Sequence, residues 1–523
     1  MANLDVLCIE LQHMIVGFLD SDQAICNYRS ICRSTQAAVD ERGCYVWSDA
    51  FARNFDREPG LRGEKLKQMY QTRRKRLRKG ANFRMGYGNR EQQILYILRD
   101  LICNSNSAAT KDGEDSPNYR TLARFVVNHD ILRQFCKHQT HFFETTNRFR
   151  GHNVATSKPQ ALLLAVQITL SAFTFSLAPE MSFKTWSFGE SQRRAYGDIQ
   201  RDQVVQGNVV NLSWVAHVIN FFKNHMCNPT DQTMFDAYSE LPTEEQPSGW
   251  TEKLKNGAGN LGTYWKGTYA YLERNEMADI RSSSVLDDQD EIYTDKNIDG
   301  GARAIQTLTL EFPEKKSDFT FPWPRQFEQI LKSITPPPST GFPRTRAQHQ
   351  RFDGPNSSPT QLHTPPATPS SRPYIDPRNP RAASRTPSPH ASRRNSPTSP
   401  TTPGANSNSA IDTFINSNVR FQGKGWDEEN FYSTGWLNAL PSQQGIPGWQ
   451  RMTMMKYFIM EDGTFDNEAL WAYEGVVLPG GKIIVGRWWA PSEVDMAPLY
   501  SGPFILWNVD KSEPADQPEF NMH

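Results

Sequence analysis

Cysteine is scarce in this chain. Seven residues among 523 (Cys8, Cys26, Cys32, Cys44, Cys103, Cys136 and Cys227) form no CxxC pair, and none falls in the Trp-rich C-terminal region. The odd total leaves one unpaired, which argues against a disulfide-stapled secreted scaffold and for free thiols in a reducing compartment. Net charge is lacking too: Lys plus Arg and Asp plus Glu stand at 57 each, so global charge favours neither a nucleic acid nor an acidic partner. There is no GxSxG, HExxH, P-loop or dinucleotide fingerprint, the usual carriers of enzyme chemistry. His129, His138 and His141 lie near Cys136, but at mixed helical spacing and without a second Cys cluster, so they read as a coincidental assortment rather than a zinc set. The chain therefore reads as non-catalytic, with no cofactor and no metal.

Long hydrophobic runs are equally sparse. Glu10 and His13 interrupt the first apolar stretch, so no secretory leader is legible there. Only Ala161 to Ala178 raises a membrane question. It is marginal in length, contains Gln167 and several Ser and Thr, and has no basic flanks, so a buried core helix is the expectation. The expected location is cytoplasm and/or nucleus, with no membrane partner.

The sequence is richer in periodicity. Residues 4–50 read as short helices: Leu7, Leu11, Ile15 and Leu19 recur at helical spacing, and Ile25, Tyr28, Ile31 and Val39 continue after a break at Asp20-Ser21-Asp22. Residues 51–256 stay mainly helical, as in Gln92 to Cys103, Leu122 to Lys137 and Val209 to His225. From Gly257 the pattern turns to strands. Leu261 to Leu272 alternates large and small residues, and Ala304 to Phe312 is a second strand candidate, which makes 257–335 the first part of a β domain.

Residues 336–410 are dominated by Pro, Ser, Thr, Arg and Asn. Such a segment cannot bury enough apolar surface to offset its ordering entropy, and it reads as a disordered insert. Its Ser-Pro and Thr-Pro steps, at Ser358, Thr364, Thr368, Thr386, Ser388, Ser396, Ser399 and Thr402, are candidate phosphorylation sites for proline-directed kinases. Strands resume over 411–511, ahead of a tail at 512–523. Because lengthening a loop costs little entropy, about 0.6 kcal/mol per doubling, one β domain interrupted by the insert is preferred to two small ones.

Trp471 to Val509 is the most informative stretch. It joins aromatic and β-branched strands through the turn Pro479-Gly480-Gly481, while Gly475, Gly486 and Gly502 inside the strands mark bulges or close backbone approach. This vocabulary suggests a curved or closed sheet, and a barrel of about eight strands leaves interior room for side chains or one small ligand. The candidate recognition residues are Trp471, Tyr473, Glu474, Arg487, Trp488, Trp489 and Trp507, although core packing explains most aromatics individually. Trp488 and Trp489 are neighbours on a strand and cannot both face inward. Arg487 and Glu474 form either a buried ion pair or an anchor for an acidic group. The run Arg73 to Lys79 suits nuclear import or a solvated helix face better than nucleic-acid contact.

Two patterns resemble a known family. Leu7-Cys8-Ile9-Glu10-Leu11, then Ile15, Leu19 and Ile31-Cys32-Arg33, resembles the F-box, with Cys8 where the family usually has Pro. Phe421-Gln422-Gly423-x-Gly425-x-Asp427, Trp471-x-Tyr473-Glu474-Gly475, Gly486-Arg487-Trp488-Trp489 and Gly502-Pro503-Phe504-x-Leu506-Trp507 look like the Gly- and Trp-rich β-barrel half of a group of F-box proteins, many of them fungal. The resemblance implies an α+β chain: an F-box and helical middle, then an antiparallel β-barrel-like domain carrying the insert. It further implies a substrate receptor of an SCF-type cullin–RING ubiquitin ligase. Leu7, Glu10, Leu11, Ile15, Leu19, Ile31, Cys32 and Arg33 would dock on the Skp-type adaptor, and the β domain would present a target protein. The alternatives are a small-ligand-binding barrel with a structural helical part, in which the leading leucines pack on the chain's own helices, and a scaffold acting through its insert.

Overall fold

The computed structural model describes residues 7–41, 43–83, 85–109, 115–129, 131–132, 160–179, 188–197, 203–230, 232–282, 292–299, 305–313, 418–460, 462–464, 466, 469–490 and 501–509. The insert at 336–410 with its eight candidate phosphorylation sites, the tail at 512–523, and Cys136, His138 and His141 lie outside these residues. His129 is described and packs against the Phe125 ring, with centroids 4.5 Å apart.

Helices begin where the sequence supplies caps. The short N-terminal helices are α1 (Ile9–Gly17), α2 (Asp22–Arg29) and α3 (Arg33–Val39). The Ser21 hydroxyl accepts the Ala24 N–H at the start of α2, and Thr35 closes back on the Cys32 N–H at the start of α3. α1 starts on Cys8 with no side-chain cap. These helices rest on α4 (Tyr45–Asn54) and α5 (Gly63–Lys79) through Val16, Ile25, Tyr28, Val39, Trp47, Phe51 and Tyr70. Polar ties reinforce the seat: the Tyr70 hydroxyl and Arg74 Nε donate to Asp22 at 2.5 and 2.8 Å, and Arg53 donates to the Leu19 carbonyl at 2.8 Å.

The helical middle continues with α6 (Asn89–Asn104), α7 (Pro117–Asn128), α8 (Ala161–Thr169), α9 (Ser171–Thr174), α10 (Phe188–Ala195), α11 (Leu212–Cys227) and α12 (Gln232–Ser239). α8 and α9 are the apolar segment at 161–178, buried as expected and broken at Leu170. Among the described residues no helix is long and apolar enough to cross a membrane. A two-residue hairpin, β1 (Val205–Gln206) and β2 (Val209–Val210), precedes α11, so the helix starts three residues later than its apolar pattern suggests. The Asn211 side chain accepts the Trp214 N–H there, because an Asn cap ends the extended segment.

The β domain closes. Strands β3 (Tyr264–Tyr269), β4 (Gln306–Glu311), β5 (Asn418–Trp426), β6 (Asn430–Ala439), β7 (Gln450–Tyr457), β8 (Trp471–Val477), β9 (Ile483–Trp489) and β10 (Ser501–Asn508) form an eight-stranded antiparallel barrel in chain order, with β10 returning to β3. β4 pairs with β5, Thr307 opposite Trp426, so the 312–417 stretch leaves and re-enters between neighbouring strands of one sheet. A helix that the strand pattern did not announce, α13 (Arg274–Ser282), lies between β3 and β4.

Gly475 and Gly486 face each other across β8 and β9 in unbroken register. A Cβ on Gly486 would sit 2.2 Å from the Glu474 carbonyl and 2.5 Å from the Gly475 Cα, so these glycines serve close approach rather than a bulge. The β8–β9 turn holds Gly480 and Gly481 at φ +99° and +72°, as its Pro-Gly-Gly sequence requires.

α11, buried along nearly its whole length, is the keel between helices and barrel, packing on α8, α10 and α12 and on β9 and β10. Trp507 joins the two halves: its indole N–H donates to the Glu245 carbonyl at 2.8 Å and its ring meets Tyr238 edge-on.

Candidate functional site

Strand parity divides the barrel residues into two sets. Trp265, Leu308, Leu310, Phe421, Leu437, Met452, Met454, Val477, Ile484, Phe504 and Leu506 point inward and fill much of the interior. The filling stops short of one mouth. There the end of β3, the β5–β6 turn, the end of β7 and the start of β8 enclose a cavity of about 590 Å³, within the usual range for ligand pockets. This end of the barrel is opposite the β8–β9 turn, whose Gly480 packs against Trp250 of the helical part.

The cavity is aromatic on one side. Trp488 meets Tyr269 and Trp471 edge-on at 5.7 and 5.2 Å between centroids, and its indole N–H donates to the Ala270 carbonyl at 3.2 Å, which fixes the ring. Tyr473 forms part of the lining and packs against Phe504. Lys456, the partner of Trp471 in the β7–β8 register, is buried among Phe431, Phe458 and Tyr269, with Nζ 4.2 Å from the Phe431 ring centroid. Its ammonium donates to Asp427 Oδ2. The other oxygen of Asp427 accepts the N–H groups of Glu428 and Glu429 at 2.7 and 3.3 Å. Burial holds the Lys456 ammonium below the ordinary lysine range, with Asp427 opposing that shift. Burial also pushes the Tyr269 and Tyr473 phenols above their usual range, and nearby carboxylates add to the effect. Glu273, Glu428, Glu429 and Asp466 complete the polar side of the lining.

Of the seven recognition candidates, Trp471, Tyr473 and Trp488 line this cavity. The other four do not. Glu474, Arg487 and Trp489 alternate with them and fall on the outer wall, because a one-residue step on a strand reverses the face. Trp488 in and Trp489 out is the arrangement parity demands. Outside the wall, Arg451 Nε donates to Glu474 Oε1 at 2.8 Å, and Arg487 lies 3.7 Å from Glu474 Oε2 with its guanidinium 5.7 Å from the Trp214 ring. Glu474 and Arg487 are thus a buried ion network against α11, not an anchor for a ligand. Trp507 is the clamp to the helical part described above. Lys456, Asp427, Tyr269 and the β5–β6 turn were missed; the signal available was Asp427-Glu428-Glu429 between two strands that carry glycines on one face.

The N-terminal candidates also divide. Leu11 and Ile31 are exposed, as are Glu10 and Arg33, while Leu7 and Cys32 are half-buried. Ile15 and Leu19 instead pack against the protein's own core, beside Gln12 and Val16. The expected single face 7-11-15-19 is therefore corrected: α1 turns Val16 with Ile15 inward and leaves a different stripe outward. That stripe is Leu11, Met14 and Phe18, 46%, 60% and 81% exposed, flanked by Ile9 at 38% and Ile31 at 58%.

A third cluster lies in the helical part. His225, Asp295 and Asp299 offer ligand atoms within 4.8 Å of one another. The Asp295 carboxylate already accepts from the Tyr196 hydroxyl at 2.6 Å and from Gln192 at 2.8 Å, with His225 Nε2 at 3.0 Å, so the cluster is accounted for as a knot fastening residues 292–299 to α10 and α11. The basic run on α5 is not a uniform solvated face. Arg73 is buried, pairs with Glu58 at 2.7 Å and lies over the Phe55 and Phe51 rings, and Arg74 pairs with Asp22.

Comparison with family models, with curated proteins and with solved structures found no match to this chain.

Proposed function

We propose that this chain is the substrate-recognition subunit of an SCF-type cullin–RING ubiquitin ligase. In this reading α1 to α3 dock on the Skp-type adaptor, and the barrel presents a target protein for ubiquitination. The chain itself performs no chemistry and works in the cytoplasm and/or nucleus. The observation that carries the reading is the exposed stripe of Ile9, Leu11, Met14, Phe18 and Ile31 on a small helical unit whose opposite face is already seated on α4 and α5. Burying a side chain of this kind contributes about 1.5–3 kcal/mol each, and a stable docking covers on the order of 1,200–2,000 Å² in total. Water is a poor permanent solvent for such a stripe.

The test is co-purification of the full chain with a Skp-type adaptor and cullin. Wild type is expected to carry both. Leu11→Asp combined with Phe18→Asp is expected to lose both while the chain stays folded, because neither side chain supports the core. Ile15→Asp is a poorer probe, since it damages the chain's own packing. Failure of the wild-type chain to retain the adaptor overturns the proposal.

The cavity of about 590 Å³ supports a second reading, a small-ligand-binding barrel with a structural helical part. That reading predicts a saturable small molecule co-purifying with the chain and no adaptor.

A further inference from the structure

The composition of the barrel mouth restricts what it can receive. Trp488 is held by its bond to the Ala270 carbonyl and by edge contacts with Tyr269 and Trp471, so an aromatic wall stands in place before any ligand arrives. Lys456 is spent on Asp427 and shielded by three rings, so this pair adds no net charge to the cavity. Against that neutral floor the lip carries Glu273, Glu428 and Glu429, all exposed, and the described lining holds no second Lys or Arg. Aromatic faces attract cations through their ring quadrupoles, carboxylates attract them by charge, and a recess partly closed to water strengthens both. An anionic group would meet repulsion from the same lip.

We infer that the barrel mouth binds a cationic side chain, lysine or arginine, displayed on an extended peptide segment of the target protein, with the cation between the Trp471–Trp488 wall and the Glu428–Glu429 turn. This rests on the receptor reading of the barrel. The peptide is the favoured source of the cation because, among the described residues, the mouth is open at its lip, where the exposed glutamates would face the residues flanking an inserted side chain.

The test uses the purified full chain and four degenerate dodecapeptide libraries with a fixed central Arg, Lys, Glu or Leu, alongside arginine amide and choline as free cations. The Arg and Lys libraries are expected to be retained at least tenfold over Glu and Leu, with retention falling as salt rises. Charge reversal at the exposed turn, Glu428→Lys with Glu429→Lys, leaves the interior packing untouched and is expected to abolish the preference. Trp471→Ala is expected to weaken retention at least tenfold without reversing the preference. Equal retention of all four libraries, or preference for Glu, overturns the inference. Binding of arginine amide or choline with no library retained overturns the peptide assignment. Adaptor co-purification is unaffected by any of these outcomes, so loss of the adaptor with cationic preference intact would count against the receptor reading alone.

Discussion

Glu474 is the residue on which the outer barrel wall depends most. It sits between Arg451 and Arg487 beneath α11, and all three are nearly inaccessible to water. Replacing it with Ala removes the buried carboxylate to which Arg451 donates and beside which Arg487 lies, and removing one partner of such a set costs about 3–5 kcal/mol. Chemical denaturation of Glu474→Ala should show a loss of that order, whereas Glu428→Ala, on an exposed turn, should fall within about 0.5 kcal/mol of wild type. An unchanged midpoint for Glu474→Ala would contradict the wall as described. The residue was legible in the sequence as a charged partner for Arg487. Arg451, more than twenty residues away, was not, because only the β7–β8 register, with Arg451 opposite Val476, brings it within diagonal reach of Glu474.

At the scale of the element, α1 shows how far periodicity reaches. The sequence placed a helix here correctly, but several of its residues are apolar, so spacing alone could not say which side meets α4. Packing decides it: Val16 and Ile15 turn inward, and Leu11, Met14 and Phe18 turn out. Thermal melts should separate the two sides. Val16→Asp is expected to destabilise by several kcal/mol through an unpaired buried charge, and Phe18→Asp to leave the melt unchanged. The strands were easier to read, since period-two alternation has only two phases. Parity assigned opposite faces to Trp488 and Trp489, and Phe421, Gly423, Gly425 and Asp427 keep one face along β5. The aromatic lining of the cavity was legible in part, as Trp471, Tyr473 and Trp488, but its polar side was not, because Lys456, Asp427 and Tyr269 meet only where distant strand ends converge.

At the scale of the whole molecule, the helical first half and a barrel-like β domain interrupted between strands followed from composition, pattern and the resemblance, whereas closure of the sheet did not, since it needs β10 to return to β3. The seam between halves did not, since it depends on α11 meeting β9 and on Trp507 reaching Glu245. The fold also buries many phenols. Tyr70, Tyr119, Tyr196, Tyr238, Tyr269 and Tyr473 all have their ionisation pushed upward, chiefly by burial. A raised folded pKa means the unfolded chain loses its proton first, so this stability is intact below about pH 10 and is lost as pH rises above it. Lys456 and Lys482, both with pKa lowered chiefly by burial, act in the opposite sense as pH approaches the ordinary lysine range, but they are two groups against these six phenols. Phenolate absorbance followed against pH should lag behind that of free tyrosine and then rise together with unfolding; six phenols titrating independently near pH 10 in a folded chain would contradict this.

The most direct test of the account is calorimetric titration of a purified Skp-type adaptor into the full chain. The account predicts one adaptor per chain, a negative heat-capacity change from burial of the apolar stripe, and at least a hundredfold weaker binding for Leu11→Asp with Phe18→Asp at unchanged thermal stability. No heat of binding with the wild-type chain, or equal affinity for the double variant, would contradict it.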